Sequence, residues 1–274
     1  MPTFLHKFYR KYIKPVRSSA GNLINKMGRR KQCYICGRKF SHFLKYGNGF
    51  AGLSEFLRRV SFTGSNLDNF GCPYCHSTDR ERHLFIYFDK LDFWKYIPDS
   101  TILHIAPEPH LAKKIMSLQP GKYIRGDLMP ADEHELRIDI TEATFEDNMF
   151  DVLICNHVLE HVANYRKAFA EIFRLIKPGG RAILQTPYSE LLARNLEDDG
   201  INSDKSRDYF YGQRDHMRLF GRQQFLAELQ ATGFILQIIR SSEIIDNYKS
   251  QLFGINSEED LFIFMKPEYL LNRD

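Results

Sequence analysis

Short apolar runs alternate with amphipathic segments along most of the chain. Apolar residues recur at helical spacing from residue 80 and stop before Pro98, which predicts a helix over that stretch. The mostly apolar run at 101–106 suits a strand that is buried on both faces of a parallel sheet. Further strands are predicted at 123–125 (reaching Asp127), 136–140, 150–155 and 181–186. Further helices are predicted from Pro109 to a turn at 119–121, at 165–176 and at 222–231.

The last part of the chain breaks this alternation. Two apolar runs at 234–239 and 261–265 are joined without an evident helix, so we expect them to pair antiparallel at one edge of the sheet. The Lys-Pro-Gly-Gly stretch at 177–180 is expected to form a turn. The whole pattern predicts an α/β fold: a doubly wound, mostly parallel seven-stranded sheet with an antiparallel edge strand.

Charge is distributed very unevenly along the sequence. Residues 1–54 contain twelve Lys or Arg and neither Asp nor Glu, although the whole chain carries a net charge of only +4. Apolar residues at near-helical spacing within 4–13 favour either a short amphipathic helix on an anionic membrane or RNA, or simply a solvated basic tail. No apolar run approaches the ~20 residues of a membrane span, and no secretion signal is recognised, so a cytoplasmic protein is expected.

Four of the five cysteines form two Cys-x-x-Cys pairs, which are Cys33 with Cys36 and Cys72 with Cys75. Two such turns supply the tetrahedral shell of thiolates that Zn²⁺ favours, so the front of the chain is predicted to be a small zinc ribbon. His76 could replace one sulfur, and disulfides are the alternative, which an intracellular location disfavours. Because four thiolates leave no open position for a substrate, the zinc is expected to be structural. The fifth cysteine, Cys155, continues an apolar run and is expected to be a small core residue.

A resemblance to a known family emerges in residues 145–187, which read FEDNMFDVLICNHVLEHVANYRKAFAEIFRLIKPGGRAILQTP. This stretch resembles the core of class I S-adenosylmethionine-dependent methyltransferases, in the group with a Phe-Asp-x-x-x-x-x-x-Val-Leu-Glu-His signature. Residues 215–234 resemble the segment before the last hairpin of that group, and the likeness covers about 99–266. The cysteine pairs ahead of ILHIAPEP resemble a bacterial subset that joins a zinc ribbon to this domain. The expected division is a basic segment at 1–31, a zinc-ribbon-like module at 32–79 and a methyltransferase domain at 80–274.

The resemblance also implies a cofactor site for S-adenosylmethionine, with one departure from the family. The family's glycine-rich first loop is replaced here by a stretch with no glycine at 104–110, so the loop must follow a different path. Glu108 would face the positive charge of the cofactor or, alternatively, complement a helix N-terminus. Asp127 would bind the ribose hydroxyls, and Asp139 with Ile140 would contact the adenine. The full set of expected cofactor-binding residues is His104, Ala106, Glu108, Asp127, Leu128, Asp139, Ile140, Asn156 and His157.

The acceptor side of the site is less defined by the sequence. If the acceptor is a hydroxyl, a neutral imidazole could take its proton, and His157 and His216 are the candidate catalytic residues. Glu160 and His161 either contact the substrate or merely pack at a helix start. The polar stretch 188–215 is expected to form a lid over the acceptor or, alternatively, a disordered insertion.

Three functions are consistent with the sequence. The first is methyl transfer to a small-molecule or glycan-type acceptor. The second is methylation of RNA, gripped by the zinc module and the basic N-terminus. The third is a non-catalytic protein that keeps the fold and acts either by binding the cofactor or by interaction with a partner, which the glycine-free loop suggests.

Overall fold

The computed structural model describes residues 25–26 and 28–268. The basic stretch 4–13, for which we considered contact with a membrane or RNA, lies outside the described residues. The strands are β1 (Lys31–Gln32), β2 (Lys39–Phe40), β3 (Phe62–Thr63), β4 (Thr101–Ile105), β5 (Lys122–Asp127), β6 (Leu136–Arg137), β7 (Phe150–Asn156), β8 (Ile176–Gln185), β9 (Tyr188–Ser189), β10 (Phe220–Gly221), β11 (Ile235–Ile239) and β12 (Leu261–Met265).

Helices connect these strands and cover the main sheet. The α-helices are α1 (Glu55–Arg59), α2 (Asp79–Lys90), α3 (Pro109–Ser117), α4 (Tyr165–Leu175), α5 (Asp204–Phe210), α6 (Arg222–Ala231), α7 (Ser241–Ile244) and α8 (Asn247–Phe253). Short 3-10 turns occur at Gly49–Gly52, Leu67–Asn69, Phe93–Tyr96 and Leu159–His161. Within the described ranges, no helix has the length and apolar character needed to cross a bilayer.

Seven strands form the main sheet in the order β11-β12-β8-β7-β4-β5-β6. Strands β4 to β8 run parallel to one another, whereas β12 pairs antiparallel with both β8 and β11. This confirms the predicted doubly wound sheet with its antiparallel edge. Because successive side chains in a strand point to opposite faces, Leu103 and Leu153 pack in one hydrophobic core, and Ile102 and Val152 pack in the other.

The parallel topology brings the carboxyl ends of β4, β5 and β7 to one edge of the sheet. In an open sheet of this kind, the crevice outside those ends is where ligands bind. The strand order reverses between β4 and β7, since β5 and β6 lie on one side of β4 and β7 and β8 lie on the other. The fold therefore places any ligand above the ends of β4 and β7.

Three sequence predictions about local structure were wrong. The helix expected over 80–97 ends at Lys90 because Asp92 takes a left-handed conformation, with φ of 51°, and a 3-10 turn follows. The expected turn at 177–180 lies inside β8, where the pairing with β7 changes register. The connection between β11 and β12 contains α7 and α8, and α8 is closed by the left-handed Gly254. In each case a backbone conformation or a long-range pairing overrode the local pattern.

The front of the chain packs onto the segment that follows β8. Strand β3 pairs antiparallel with β9, and β9 pairs with β10, so residues before the main sheet share a three-stranded sheet with residues between β8 and β11. Helix α1 lies near α5, and Ser54 Oγ donates a hydrogen bond to the carbonyl of Tyr209. The stretch 188–215 is therefore ordered and anchored, against the disordered alternative. Its action as a lid stays a prediction.

Arg82 connects the cysteine-containing region to the main domain. Its fully buried guanidinium donates hydrogen bonds to the carbonyls of Ser77, Phe253 and Gly254, over 2.8–2.9 Å. It also reaches the carbonyls of Asn69 and Phe70. A single side chain thus satisfies carbonyl groups from three separate parts of the chain.

Replacement of Arg82 by Met is expected to destabilise the protein by about 3–5 kcal/mol, because several carbonyls from three parts of the chain lose a buried charged donor. Urea unfolding monitored by circular dichroism measures this change. Lys90→Met is the matched control, since Lys90 lies on the same helix and is exposed. Equal stabilities for the two variants would contradict the central role of Arg82.

Candidate functional site

The four cysteines of the two Cys-x-x-Cys pairs converge at the front of the structure. Their sulfur atoms all lie within 4.8 Å of one another, and none is in a disulfide. Cys33 Sγ is 3.7 Å from Cys75 Sγ, and Cys36 Sγ is 3.9 Å from Cys72 Sγ. Thiolates at ~2.3 Å from a tetrahedral Zn²⁺ are about 3.8 Å apart, so the donor set fits that ion. His76 is not needed to complete the set of four ligands. It directly follows the second Cys-x-x-Cys pair and has a left-handed backbone conformation.

This cysteine cluster is linked to the crevice through the start of α2. Thr78 and Glu81 form a reciprocal capping box, in which each side chain accepts a hydrogen bond from the other residue's backbone N–H. Glu81 Oε1 also accepts from the backbone N–H of His110, at 2.9 Å, and lies 3.1 Å from His110 Nδ1. His110 belongs to the glycine-free loop after β4. The cysteine cluster therefore helps to set the position of that loop.

The glycine-free loop bends at Ala106, at the end of β4. Ala106 has a φ of 50°, a left-handed conformation that usually favours glycine, and its N–H donates to the carbonyl of Gly126 at 2.8 Å. His157, at the end of the neighbouring strand β7, is also left-handed, with a φ of 55°. Non-glycine residues in this conformation concentrate at functional sites. The chain thus makes the sharp turn without the family's glycines.

Glu108 sits at the centre of a buried hydrogen-bond network. Glu108 Oε2 lies 2.8 Å from His104 Nε2, and Glu108 Oε1 accepts a hydrogen bond from the side-chain amide of Asn156. The other ring nitrogen of His104, Nδ1, lies 2.9 Å from the hydroxyl of Tyr123. Burial by itself raises the pKa of Glu108, but the hydrogen bonds from His104 and Asn156 hold that pKa below its ordinary value. A carboxylate that favours its ionised form is therefore held just past β4.

The remaining expected cofactor residues lie along the edge formed by β5 and the segment after β6. Asp127 ends β5, and its Oδ1 accepts from the N–H of Met129 at 2.8 Å. Leu128 is 44% exposed, which leaves an apolar side chain open to a ligand. Asp139 is exposed and its Oδ1 accepts from Thr141, whereas Ile140 is buried. The structure thus places Ala106, Glu108, Asp127 and Asn156 at the carboxyl ends of the neighbouring strands β4, β5 and β7.

His157 lies between two carboxylates at the edge of the crevice. Its Nδ1 is 3.6 Å from Glu160 Oε1 and its Nε2 is 3.5 Å from Glu259 Oε1. Burial by itself lowers the pKa of His157, but the two carboxylates outweigh it and raise that pKa above the ordinary value. Burial works against ionisation of Glu160 and Glu259 as well, yet neighbouring histidines hold the pKa of each well below its usual range.

The second candidate base, His216, lies on the other side of Glu160. Its Nδ1 donates to the carbonyl of Tyr211 at 2.8 Å, and its Nε2 is 3.9 Å from Glu160 Oε1. Burial and the proximity of His161 lower the pKa of His216 to about 3, so the ring is neutral. The structure therefore brings both candidate bases to the same carboxylate.

Several residues of this region had no sequence motif to mark them. Glu259 precedes β12 and reaches the site only because that strand is antiparallel to β8. Glu81 was recognisable as a capping residue after Thr78, but its contact with His110 spans 29 positions. Cys155 is fully buried in the core, as the sequence predicted, and burial raises the pKa of its thiol.

A cavity of about 540 Å³ lies between the front segment, Glu190 and the stretch before β12, and its lining includes neither His157 nor Glu160 nor His216. It is lined mainly by residues 61–68 together with Glu190, Asn256 and Glu258. Ser65 in its wall accepts a hydrogen bond from Arg80 Nε at 2.6 Å, and the charge of Arg80 acts on both His157 and His216. Among the described residues that line the cavity there is no Lys, Arg or His.

The sheet order defines a doubly wound α/β fold of the Rossmann-like type. A family model described as a methyltransferase domain matches residues 80–237, more than half of the chain. The chain therefore belongs to this methyltransferase family. The prediction of fold and family from residues 145–187 is confirmed.

Two relatives match short parts of the chain. A ubiquinone biosynthesis O-methyltransferase of Rickettsia prowazekii is 40% identical over 60 residues, which cover 20% of this chain and 24% of that protein. An uncharacterized protein of Methanocaldococcus jannaschii is 44% identical over 52 residues, covering 19% and 23%. The chain thus spans about a quarter of the length of these relatives.

Solved protein structures resemble this chain at low sequence identity. The YcgJ protein of Bacillus subtilis is 16% identical, with 67% of this chain and 100% of that chain covered and a TM-score of 0.43. Phosphoethanolamine N-methyltransferase 2 of Haemonchus contortus, solved with phosphomonomethylethanolamine and S-adenosylhomocysteine, is 18% identical, with 68% and 52% covered and a TM-score of 0.44.

Proposed function

We propose that this methyltransferase transfers a methyl group to a hydroxyl of a small-molecule or glycan-type acceptor bound in this cavity. The observation that carries this proposal is the lining of the cavity. It presents the carboxylates of Asp68, Glu190 and Glu258 and several uncharged polar groups, and the basic neighbours Lys45 and Arg222 are paired with Asp68 and Glu190. Carboxylates accept hydrogen bonds from hydroxyls and repel phosphates. The lining therefore favours a hydroxyl-bearing acceptor without phosphate.

The residues of the crevice support binding of S-adenosylmethionine. Leu128 offers exposed apolar surface, and the ionised Glu108 offers a negative charge. Asp127 and Asp139 offer carboxylates that can accept hydrogen bonds from the hydroxyl and amine groups of the cofactor. The bound cofactor supplies a methyl group that a sulfonium charge activates. His104 is fully buried with both ring nitrogens engaged, so its part is to orient Glu108.

His157 is the proposed general base for the acceptor hydroxyl. The two flanking carboxylates orient its ring, as the acid of a nucleophilic triad orients its histidine. They also stabilise the imidazolium that forms when His157 takes a proton.

The other part of the proposal is that Cys33, Cys36, Cys72 and Cys75 hold a structural zinc. This metal would stabilise the fold around Glu81 and so the loop that carries Glu108.

Asp127→Asn is expected to weaken binding of S-adenosylmethionine roughly tenfold to a hundredfold, because a hydrogen bond to a charged carboxylate contributes about 1.5–3 kcal/mol. Asparagine can still accept from the N–H of Met129, so the local turn is kept. Isothermal calorimetry gives the dissociation constant. Asp132→Asn is the matched control, as it removes the same charge from a half-exposed position in the loop after β5. An unchanged affinity in Asp127→Asn would refute the ribose role.

The acceptor class is tested by the release of S-adenosylhomocysteine in the presence of hydroxylated sugars, small phenols and structured RNA. We expect turnover with an unphosphorylated acceptor and a rate that changes little between low and moderate salt. Turnover that requires RNA and falls steeply with salt would instead favour RNA methylation, because phosphate contacts are lost as ionic strength rises. The absence of cofactor binding in calorimetry would favour a non-catalytic role.

A further inference from the structure

The carboxylate of Glu160 is surrounded by imidazole rings without a hydrogen bond to any of them. Its Oε1 lies 3.9 Å from His161 Nε2, 3.9 Å from His216 Nε2 and 3.6 Å from His157 Nδ1. Both Glu160 Oε1 and His216 Nε2 are fully buried and have no hydrogen-bond partner within the described part of the chain. Buried polar atoms without partners are costly, so this arrangement calls for an occupant between them.

The backbone fixes how two of these rings face Glu160. His216 Nδ1 contacts the carbonyl of Tyr211 at 2.8 Å, and His161 Nδ1 contacts the carbonyl of Asp215 at 3.2 Å. A carbonyl oxygen only accepts, so in each ring Nδ1 carries a proton, and Nε2 is the nitrogen turned toward Glu160. This is the outer-shell arrangement that typically orients metal-binding histidines.

The carboxylate oxygens in this cluster also favour a cation. Glu160 is fully buried, and the carboxylate of Asp215 is largely buried, 3.6 Å from His161, with no hydrogen bond to either oxygen among the described residues. Buried carboxylate oxygens without a donor are costly, and coordination to a divalent cation would remove that cost.

We propose that Glu160, His161 and His216 bind a divalent transition-metal ion at the acceptor side of the site. Their ligand atoms all lie within 4.8 Å of one another, whereas ligands at ~2.0–2.2 Å from a metal are about 3.0–3.6 Å apart, so the side chains close by about 1 Å on binding. Two imidazoles and one carboxylate suit Zn²⁺, Co²⁺ or Fe²⁺ better than Mg²⁺ or Ca²⁺, which prefer oxygen ligands.

Three protein ligands leave coordination positions open for an acceptor oxygen. His161 is the partly exposed member of the set, so the open side faces the solvent-accessible part of the site. Glu160 Oε2 accepts from Thr186 Oγ1 at 3.0 Å, which ties the cluster to the end of β8. The ion would hold the acceptor hydroxyl beside His157 and favour its deprotonation. This role rests on the proposed methyl transfer, whereas the binding of the ion does not.

The metal content of the full-length protein tests the site. After equilibration with Zn²⁺ and dialysis, atomic emission is expected to give two zinc ions per chain in the wild type, one for the cysteines and one for this cluster. His161→Ala and Glu160→Gln are expected to hold one. His134→Ala is the control at an exposed histidine and is expected to hold two. Calorimetry with S-adenosylmethionine shows whether each variant is folded.

Cobalt provides a test that needs no substitution. Co²⁺ added to protein whose cysteine site is filled with zinc is expected to give visible bands of nitrogen and oxygen ligation, without the intense thiolate absorption. A single zinc per chain in the wild type, unchanged in His161→Ala, would overturn the proposal, as would a second zinc that persists in both variants. Failure of the proposed acceptor chemistry would leave the metal count at two, so the two failures can be told apart.

Discussion

Removal of zinc from the four-cysteine cluster is expected to unfold the front of the chain and to weaken cofactor binding. A structural zinc contributes about 10–16 kcal/mol of binding free energy to small zinc modules, which is more than most domains have in total stability. The hydrophobic cluster around Cys33 and Cys72 contains only a few side chains, among them Phe40 and Phe43. It has too little buried apolar surface to hold this segment without the metal.

Cys33→Ser is the direct test of this prediction. We expect the zinc content to fall by one ion per chain and the melting temperature to fall by about 10 °C or more. The affinity for S-adenosylmethionine should fall as well, because the loop that carries Glu108 loses the support of Glu81 at His110. Atomic emission, calorimetry and thermal unfolding give the three quantities.

Cys155→Ala provides the matched control for the loss of a buried cysteine. Cys155 lies in the main core, away from the cluster, so its replacement is expected to leave the zinc content unchanged. A Cys33→Ser protein with unchanged zinc content and melting temperature would disprove the zinc site. Loss of zinc with unchanged cofactor affinity would disprove only the link through Glu81.

Replacement of His157 by Asn is expected to lower kcat by about 10²- to 10⁴-fold, the usual contribution of a general base. Asparagine tolerates the left-handed backbone of this position, so the turn after β7 should survive. The affinity for S-adenosylmethionine should change far less than kcat, because the acceptor rather than the cofactor is deprotonated. Steady-state kinetics with the acceptor and calorimetry with the cofactor separate the two effects.

Chemical rescue distinguishes a base from a packing residue. Added imidazole is expected to restore part of the rate in His157→Asn, and His134→Asn should match the wild type. A variant with normal kcat would eliminate His157 as the base. A slow variant that imidazole does not rescue and whose melting temperature has fallen would identify a structural role instead.

The loop after β4 keeps its sharp turn without the family's glycines. Glycine usually supplies a positive φ and a close approach of backbone to ligand. Here Ala106 adopts the positive φ itself, and the hydrogen bond from its N–H to Gly126 holds the turn in place. The cofactor has no pyrophosphate to cradle, so the loss of the closest backbone approach is less costly than in a dinucleotide-binding protein.

The sequence by itself determined the fold class, the family and the cysteine cluster. Apolar runs of strand length and helical periodicity are local properties, and they located all seven strands of the main sheet, although β6 is shorter than expected. The two Cys-x-x-Cys pairs needed only the spacing of four residues. Local patterns of this kind hold because each element must bury its apolar side wherever it lies in the fold.

Only the tertiary structure decided how the site is assembled. Glu259 comes from the segment before β12, and His216 follows the segment inserted after β8. Arg80 and Glu81 come from α2, which precedes the main sheet. All four nevertheless lie near the ends of β4 and β7. These contacts depend on strand order and on packing between distant segments, which no local pattern encodes. The partners of Glu160 therefore became visible only once the chain was folded.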